Sequence, residues 1–256
     1  MTWNEVLRDL VDANHILANE GVLDGYGHVS IRHPEKPERY LLSCSKSPDQ
    51  VEVGDIIEYY QDGSSVHEEQ RPPYSERFIH GAIYESRPDI NAVIHSHAED
   101  VLPFSITDVP FIPVIHVASA MGPHVPVWDI ADKFGLATSL LVVDMAQGRD
   151  LAAQMGDGRV VLMRGHGFSA AARTLIELVK MAVYIPRNAR VQMAALRMGT
   201  KIKPLHGEEI SARRLAPTAQ PDAPDMRRAW EYWTRRARGC PHCAAERLNK
   251  VESQTT

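Results

Sequence analysis

The first twenty residues carry apolar side chains at helical intervals, separated by charged and polar positions. This spacing predicts an amphipathic helix. Thr2 and Glu5 have the spacing of a capping box at its start, and Gly21 is a residue type that commonly ends a helix. We therefore expect the chain to open with one helix that packs its apolar side on the rest of the protein.

Short apolar segments further along the chain predict strands, and longer segments with helical spacing predict helices. A predicted helix over 174–198 contains Pro186, which we expect to kink or split it. Together these segments predict one α/β domain with a central mixed sheet over residues 1–200. A linker, a short helix and a disordered tail are expected over 201–256. The predicted strands are 27–32, 40–43, 55–60, 93–97, 111–117, 139–144 and 160–163, and the other predicted helices are 75–86, 130–136, 150–155 and 226–238.

Composition excludes several classes of function. The 256 residues carry a net charge of −5 without a dense lysine and arginine cluster, which argues against a nucleic-acid partner. No run approaches the roughly twenty apolar residues that span a bilayer, the N-terminal residues lack a signal-peptide pattern, and three cysteines are too few for a disulfide framework. We expect a cytoplasmic protein without a membrane partner, and we interpret Cys240 and Cys243 as a surface feature.

Three histidines carry the clearest chemical signal. His95 and His97 end a predicted strand, where residues two apart point to the same face. His166 lies between two glycines after another predicted strand. Three neutral imidazoles that leave a coordination position open form the ligand set of a catalytic divalent-metal site. Histidines at strand ends also serve as hydrogen-bonded core residues, so spacing alone leaves both interpretations open.

Short motifs follow one another in a characteristic order. They are the N-terminal helix, Gly27-His28-Val29-Ser30, a serine-rich turn over 43–47, Ser75-Glu76 at the start of a helix, the His-x-His strand, Gly165-His166-Gly167 and a long closing helix. This order resembles the class II aldolase/adducin family over roughly residues 6–198 of this chain. The resemblance implies a three-layer α/β/α sandwich with a central mixed sheet, a homotetramer, and active sites at subunit interfaces.

The same resemblance implies roles for four residues. It makes His95, His97 and His166 the metal ligands. It makes Glu76 the catalytic glutamate, which also touches the metal when no substrate is bound. Without the resemblance, Glu76 would be interpreted as a carboxylate that the helix dipole stabilises in the first turn of a helix.

The chain departs from the sugar-phosphate aldolases of this family where they bind phosphate. His28 stands where those aldolases carry asparagine, and the turn 43–47 lacks glycine. Because glycine permits close approach of backbone N–H groups to phosphate, we expect an unphosphorylated substrate. The segments 26–30 and 41–43, together with His116, resemble a decarboxylase-like branch. That branch includes 3-hydroxy-2-methylpyridine-4,5-dicarboxylate decarboxylase and dihydroxyphthalate decarboxylases.

These observations predict a divalent-metal-dependent lyase that decarboxylates an ortho-hydroxy aromatic or heteroaromatic carboxylate through a metal-stabilised enolate. Glu76 would transfer a proton if burial raises its pKa. His28 would bind a carboxylate or phenolate, unless it is a structural strand histidine. The further candidates for substrate binding are Ser43, Ser45, Arg77 and His116.

The identity of the metal and the reaction stay open at this point. Zn²⁺ and Mn²⁺ are nearly equal candidates, and Fe²⁺ or Co²⁺ is compatible with the same ligands. Alternative functions are an aldolase acting on a hydroxy-oxo acid or unphosphorylated sugar, a non-haem iron oxygenase, and a non-catalytic adducin-like module. The complete set of candidate ligands argues against the last of these.

Overall fold

A seven-stranded sheet forms the centre of the protein. The computed structural model describes residues 2–220 and 223–239. The strands are β1 His28–Arg32, β2 Arg39–Ser43, β3 Ile56–Tyr60, β4 Ala92–Ser96, β5 Val127–Trp128, β6 Val160–Met163 and β7 Gly167–Ala172. Their order is β3-β2-β1-β4-β7-β6-β5, and every neighbouring pair is antiparallel except β5 with β6. The predicted mixed sheet is thereby confirmed.

Helices cover both faces of this sheet. They are α1 Trp3–Asn19, α2 Arg77–Ser86, α3 Leu102–Ser105, α4 Ala131–Phe134, α5 Met145–Met155, α6 Leu175–Arg197, α7 Gly207–Leu215 and α8 Pro224–Ala237. Short 3₁₀ segments lie at Pro48–Gln50, Val53–Asp55, Glu99–Val101, His116–Met121 and Pro217–Ala219. Helices α1, α6 and α8 pack on one face, and α2 and α5 pack on the other. The arrangement is the expected three-layer α/β/α sandwich.

Alternation along β1 and β4 gives the sheet an apolar side and a polar side near its centre. Val29 and Ile94 lie in the core beneath α1 and α6. Their chain neighbours His28 and His95 point to the opposite face, which α2 covers. Because β1 pairs with β4 so that His28 lies opposite His95, the fold brings two imidazoles side by side.

Two helices follow the sequence closely. The Thr2 hydroxyl accepts a hydrogen bond from the Glu5 backbone N–H, and the Glu5 carboxylate accepts one from the Thr2 N–H, which confirms the capping box. Helix α6 passes through Pro186 without being split. A proline removes one helical hydrogen bond, and burial of the flanking Ile185 and Ala189 in the core offsets that loss.

The predicted strand over 111–117 is wrong. The segment has no strand pairing, and a 3₁₀-helix begins at His116. Its backbone is hydrogen-bonded by an amide side chain of α6: Asn188 accepts from the Val114 N–H and donates to the Ile112 carbonyl, both at 2.8 Å. Hydrophobic periodicity detects the burial of such a segment, but it cannot distinguish a side-chain partner from a strand partner.

The predicted strand over 139–144 is also wrong, because its residues make hydrogen bonds outside the sheet. The Val142 N–H donates to the Glu76 carboxylate at 3.0 Å. The Asp144 side chain accepts from the Gln147 N–H and caps α5. The segment is therefore a loop, and α5 begins earlier than the predicted 150–155 helix.

The sequence pattern does not predict β5, β7 or α7. Strand β7 contains glycine and three alanines, which are depleted in strands. Here their small side chains let β7 fit between β4 and β6 under α6. Helix α7 lies in the predicted linker, where His206 and Glu209 form a capping box. The predicted helix over 130–136 is confined to α4.

The C-terminal helix packs against the sandwich. Trp233 is buried in the core that α1 and α6 share, and Arg238 pairs with Asp12 at 2.7 Å. Cys240, Cys243 and the predicted disordered tail lie outside the described residues. Across the part of the chain that the structure describes, no helix is long and apolar enough to cross a membrane.

Replacing Gly81 by alanine tests the close contact between α2 and the end of β3. A Cβ atom at Gly81 would lie 2.0 Å from the Gln61 carbonyl oxygen, so the backbone would have to move. We expect Gly81→Ala to lower the free energy of unfolding by about 1–3 kcal/mol. Gly54→Ala is the control, because no atom lies within 4 Å of its Cβ position. Urea denaturation measures both, and equal stabilities would contradict the prediction.

Candidate metal centre and its cavity

Four side chains converge at the edge of the sheet. Glu76 immediately precedes α2, His95 lies on β4, His97 follows β4, and His166 lies in the turn between β6 and β7. One nitrogen or oxygen atom of each lies within 4.8 Å of the others. His95 Nε2 is 3.0 Å from His97 Nε2 and 3.4 Å from Glu76 Oε2, and His166 Nε2 is 3.6 Å from the same oxygen. The structure thus brings together all four residues that the sequence analysis proposed for the metal site.

The turn that carries His166 depends on a close approach of two strands. A Cβ atom at Gly167 would lie 2.0 Å from the Ser96 carbonyl oxygen, so only glycine lets β7 reach β4 at this point. The His166 N–H donates to the Met163 carbonyl at 3.0 Å, which closes the turn. Gly167 therefore allows the turn to place His166 beside His95 and His97.

Outer hydrogen bonds orient two of the imidazoles. His97 Nδ1 donates to the Asp24 carboxylate at 3.1 Å, and His95 Nδ1 lies 3.4 Å from the Ser169 hydroxyl. In both rings Nε2 is then directed to the centre of the group. A carboxylate behind a ligating histidine is the usual arrangement at metal sites. Sequence reasoning missed Asp24, although its position in a glycine-rich turn before β1 is a usable signal.

The protonation states favour metal binding. Burial lowers the pKa of His166 to about 4, and His95 adds to this effect. Burial and His95 also lower the pKa of His97, although the Asp24 carboxylate opposes them. Both rings are therefore neutral near pH 7, which is the form that ligates a metal.

Glu76 is ionised, contrary to the expectation of a raised pKa. Burial raises the pKa of this carboxyl, but the facing His95 and His166 and the Val142 N–H outweigh burial and lower the pKa to about 2. The carboxylate is held on both sides, because Oε1 accepts from Val142 while Oε2 faces the imidazoles. Glu76 can therefore act as a ligand or a proton acceptor, and not as a resident acid.

The donor set fits a divalent cation. Imidazole nitrogens about 2.1 Å from one ion stand about 3.0–3.4 Å apart at ordinary coordination angles, and His95 Nε2 and His97 Nε2 are 3.0 Å apart. Three imidazoles with one carboxylate suit Zn²⁺ and are compatible with Mn²⁺, Fe²⁺ and Co²⁺.

A cavity of about 220 Å³ opens beside this group. None of its lining residues is lysine or arginine. The residues that line it are Gly25, Tyr26, His28, Ser45, Tyr74, Ser75, Glu76, His97 and Leu141. A ligand in the cavity would contact Glu76 and His97 directly, so the cavity is the candidate substrate site.

The structure places only some of the predicted substrate-binding residues at this cavity. His28 and Ser45 line it. Ser43 is fully buried and donates to the Tyr74 hydroxyl at 3.4 Å. The Arg77 guanidinium donates to backbone carbonyls and packs over the Phe78 ring. His116 is exposed at the start of a 3₁₀-helix and does not line the cavity.

Sequence reasoning also missed Tyr74. Its ring centroid lies 4.5 Å from that of His28, and its hydroxyl donates to the Lys46 carbonyl. The same hydroxyl accepts from Ser43. Tyr74 therefore ties the serine-rich turn to the segment that carries Glu76, and its place two residues before Glu76 is the signal that could have identified it.

Behind His28 runs a buried chain of polar groups. His28 Nδ1 lies 2.7 Å from His80 Nε2, His80 Nδ1 lies 2.6 Å from the Ser30 hydroxyl, and that hydroxyl lies 2.9 Å from the Tyr84 hydroxyl. Burial lowers the pKa of His80 to about 3 and lowers the pKa of His28 well below its ordinary value. Both imidazoles are neutral.

Sequence comparison identifies relatives of two kinds. Decarboxylase tropJ of Talaromyces stipitatus is 32% identical over 246 residues, which cover 90% of this chain and 92% of tropJ. The 3,4-dihydroxyphthalate decarboxylase of Arthrobacter keyseri is 28% identical, covering 78% of this chain and 82% of the relative. An L-fuculose phosphate aldolase of Escherichia coli is also 28% identical, covering 82% of this chain and 93% of that aldolase.

Comparison with solved structures finds proteins that share this fold. An aldolase II superfamily protein from Pseudomonas syringae superposes with a TM-score of 0.74 at 22% identity, over 91% of this chain and 92% of that protein. The sequence model of the Class II Aldolase and Adducin N-terminal domain matches residues 8–193. The motif order, the three-layer fold and this match together establish that the chain belongs to the class II aldolase/adducin family.

Proposed function

We propose that the protein is a divalent-metal-dependent decarboxylase of an ortho-hydroxy aromatic or heteroaromatic carboxylate. The observation that carries the proposal is the convergence of His95, His97, His166 and the ionised Glu76, beside a cavity that Glu76 and His97 line. Decarboxylases among the relatives support the reaction type, and 3,4-dihydroxyphthalate decarboxylase supports an aromatic carboxylate as substrate.

Each residue has a distinct role in this proposal. The three histidines hold the cation, which when bound supplies a Lewis acid for the substrate oxygens. Glu76 accepts the proton of the substrate hydroxyl and returns it to the ring carbon after carbon dioxide leaves. Its Val142 partner keeps the carboxylate aimed at the imidazoles during both transfers. Zn²⁺ is our first candidate, with Mn²⁺ next.

The cavity wall supports a substrate without phosphate. Ser45 lies in a turn without glycine, and no lysine or arginine is among the described residues that line the cavity. At the serine-rich turn, a phosphate group would therefore lack both the close glycine N–H groups and the charge that usually bind it. His28 and Ser45 are suited to a group that needs fewer hydrogen-bond donors and less positive charge than phosphate, such as a second carboxylate.

We extend the proposal to a homotetramer with active sites at subunit interfaces. Tyr26 lines the cavity and is nevertheless 77% exposed. An exposed aromatic residue at the rim of a cavity is suited to contact with another protein surface. A second copy of the chain at this rim would complete the cavity wall.

A carbon dioxide release assay tests the reaction. Purified protein of known metal content is incubated with ortho-hydroxy aromatic and pyridine dicarboxylates. We expect release that chelation abolishes and that Zn²⁺ or Mn²⁺ restores, because the substrate oxygens require the cation. Carbonyl products without carbon dioxide would favour the aldolase, which the fuculose phosphate aldolase relatives make the second candidate. Absence of bound metal would favour a non-catalytic module.

Variants of a candidate ligand and of the carboxylate behind it should separate metal binding from folding. His97→Ala should lose the metal and the activity, and Asp24→Asn should weaken metal affinity by roughly 10- to 100-fold. Metal analysis and light scattering measure metal content and assembly. His67→Ala is the matched control, because that histidine is 81% exposed. Full metal content in His97→Ala would remove this residue from the site.

Glu76→Gln should separate metal binding from turnover. The amide oxygen can still accept from Val142, so the loop stays in place, but the side chain no longer accepts a proton. We expect metal content to stay near that of the wild type, and kcat to fall by roughly 100-fold or more. Glu99→Gln, which changes an exposed carboxylate, controls for the loss of charge. Unchanged turnover would exclude Glu76 as the proton carrier.

A further inference from the structure

We propose that His28 presents an N–H group to the cavity, and that the chain of His80, Ser30 and Tyr84 behind it fixes this tautomer. The consequence is a cavity wall that selects an anionic oxygen, such as a carboxylate or phenolate, next to the metal centre. The ligand class rests on the proposed function. The tautomer rests on the hydrogen bonds that connect His28, His80, Ser30 and Tyr84, and does not depend on the identity of the ligand.

The argument begins at the buried end of the chain. Tyr84 is 1% exposed and Ser30 is fully buried. Among the described residues, the partners of the Tyr84 hydroxyl are the Val93 N–H, which can only donate, and the Ser30 hydroxyl, which can accept. A buried O–H group that does not donate is costly. Tyr84 therefore donates to Ser30.

That first hydrogen bond fixes the direction of the others. Ser30 has a single hydroxyl proton, and its other partner is His80 Nδ1 at 2.6 Å, so Ser30 donates to that nitrogen. A neutral imidazole carries one N–H, so His80 has its proton on Nε2 and donates it to His28 Nδ1. His28 must then carry its own proton on Nε2. A proton on His80 Nδ1 would leave either the Ser30 proton or the Tyr84 proton without an acceptor.

The N–H of His28 is directed into the candidate site. Because Nδ1 faces His80, Nε2 lies on the opposite edge of the ring, and His28 lines the cavity. Its centroid is 5.3 Å from that of His95. One ligand can therefore reach both the metal centre and the His28 N–H.

A fixed N–H favours a group that only accepts hydrogen bonds. Hydrogen bonds from an N–H to an ionised oxygen are stronger than those to a neutral oxygen, and the described residues that line the cavity include no lysine or arginine as a competing partner. The chain does not supply a net proton, because burial raises the pKa of Tyr84 well above its ordinary value. His80, Ser30 and Tyr84 are thus positioning residues.

Neutron diffraction of the metal-loaded, deuterium-exchanged protein tests the tautomer directly. We expect deuterium on Nε2 of both His28 and His80, and the Ser30 deuteron directed at His80. Deuterium on His28 Nδ1 would overturn the inference, whatever the enzyme activity. Conversely, the expected deuterium positions together with no carbon dioxide release from any substrate would leave the tautomer standing and count against the proposed decarboxylase.

A matched pair of variants at position 80 tests the positioning role. The amide of His80→Gln can still donate to His28 Nδ1, whereas the carboxylate of His80→Glu can only accept. We expect His28 to keep deuterium on Nε2 in the first variant and to carry it on Nδ1 in the second. Retention on Nε2 in both folded variants would exclude His80 as the residue that fixes the tautomer.

Binding of two small probes tests the selectivity. Salicylate is anionic, and 2-hydroxybenzyl alcohol is its neutral analogue. By calorimetry on the metal-loaded protein, His28→Met should weaken salicylate by roughly 10- to 100-fold, and His28→Gln, which keeps an N–H donor, should weaken it less than about 5-fold. The alcohol should change little in either variant. Equal losses for both probes in His28→Met would refute the selection of an anion.

Discussion

The pairing register of three adjacent strands is the constraint on which the rest of the site depends. His28 on β1 lies opposite His95 on β4, and His95 lies opposite Ser169 on β7. A shift of one residue in either pairing would turn these side chains to the other face, into the apolar core beneath α1 and α6. The register thus brings the candidate metal ligands and the polar chain of His28 to the same face, beneath α2.

Hydrogen bonds at the C-terminal end of β4 anchor the strand and also orient the candidate metal ligands. Between the two ligand histidines, Ser96 donates to the Val22 carbonyl at 2.6 Å and accepts from the Ala98 N–H at 3.1 Å. Asp24, two residues after Val22, orients His97. The turn that contains Val22 and Asp24 is therefore held by Ser96 of β4, and in return it orients the imidazole of His97.

Secondary structure and burial are separate properties in two apolar segments. The segments 111–117 and 139–144 have the composition of strands, yet side chains accept hydrogen bonds from their backbone N–H groups. In the second segment the Val142 N–H, which no strand uses, holds Glu76 in the candidate metal site. A strand there would have left the Glu76 carboxylate without that partner.

The sequence by itself determined the helices α1, α2, α6 and α8 and the strands β1 to β4 and β6, because periodicity, capping residues and glycine positions act over a few neighbouring residues. Motif order also identified the four candidate metal-site residues. Only the tertiary structure decided that Asp24, Tyr74 and His80 support the site and that Ser43 and Arg77 are turned away from it. The reason is separation along the chain: His28 meets His80 across 52 residues and Glu76 meets Val142 across 66. No local pattern encodes such contacts, which arise when the sheet register and the helix packing are complete.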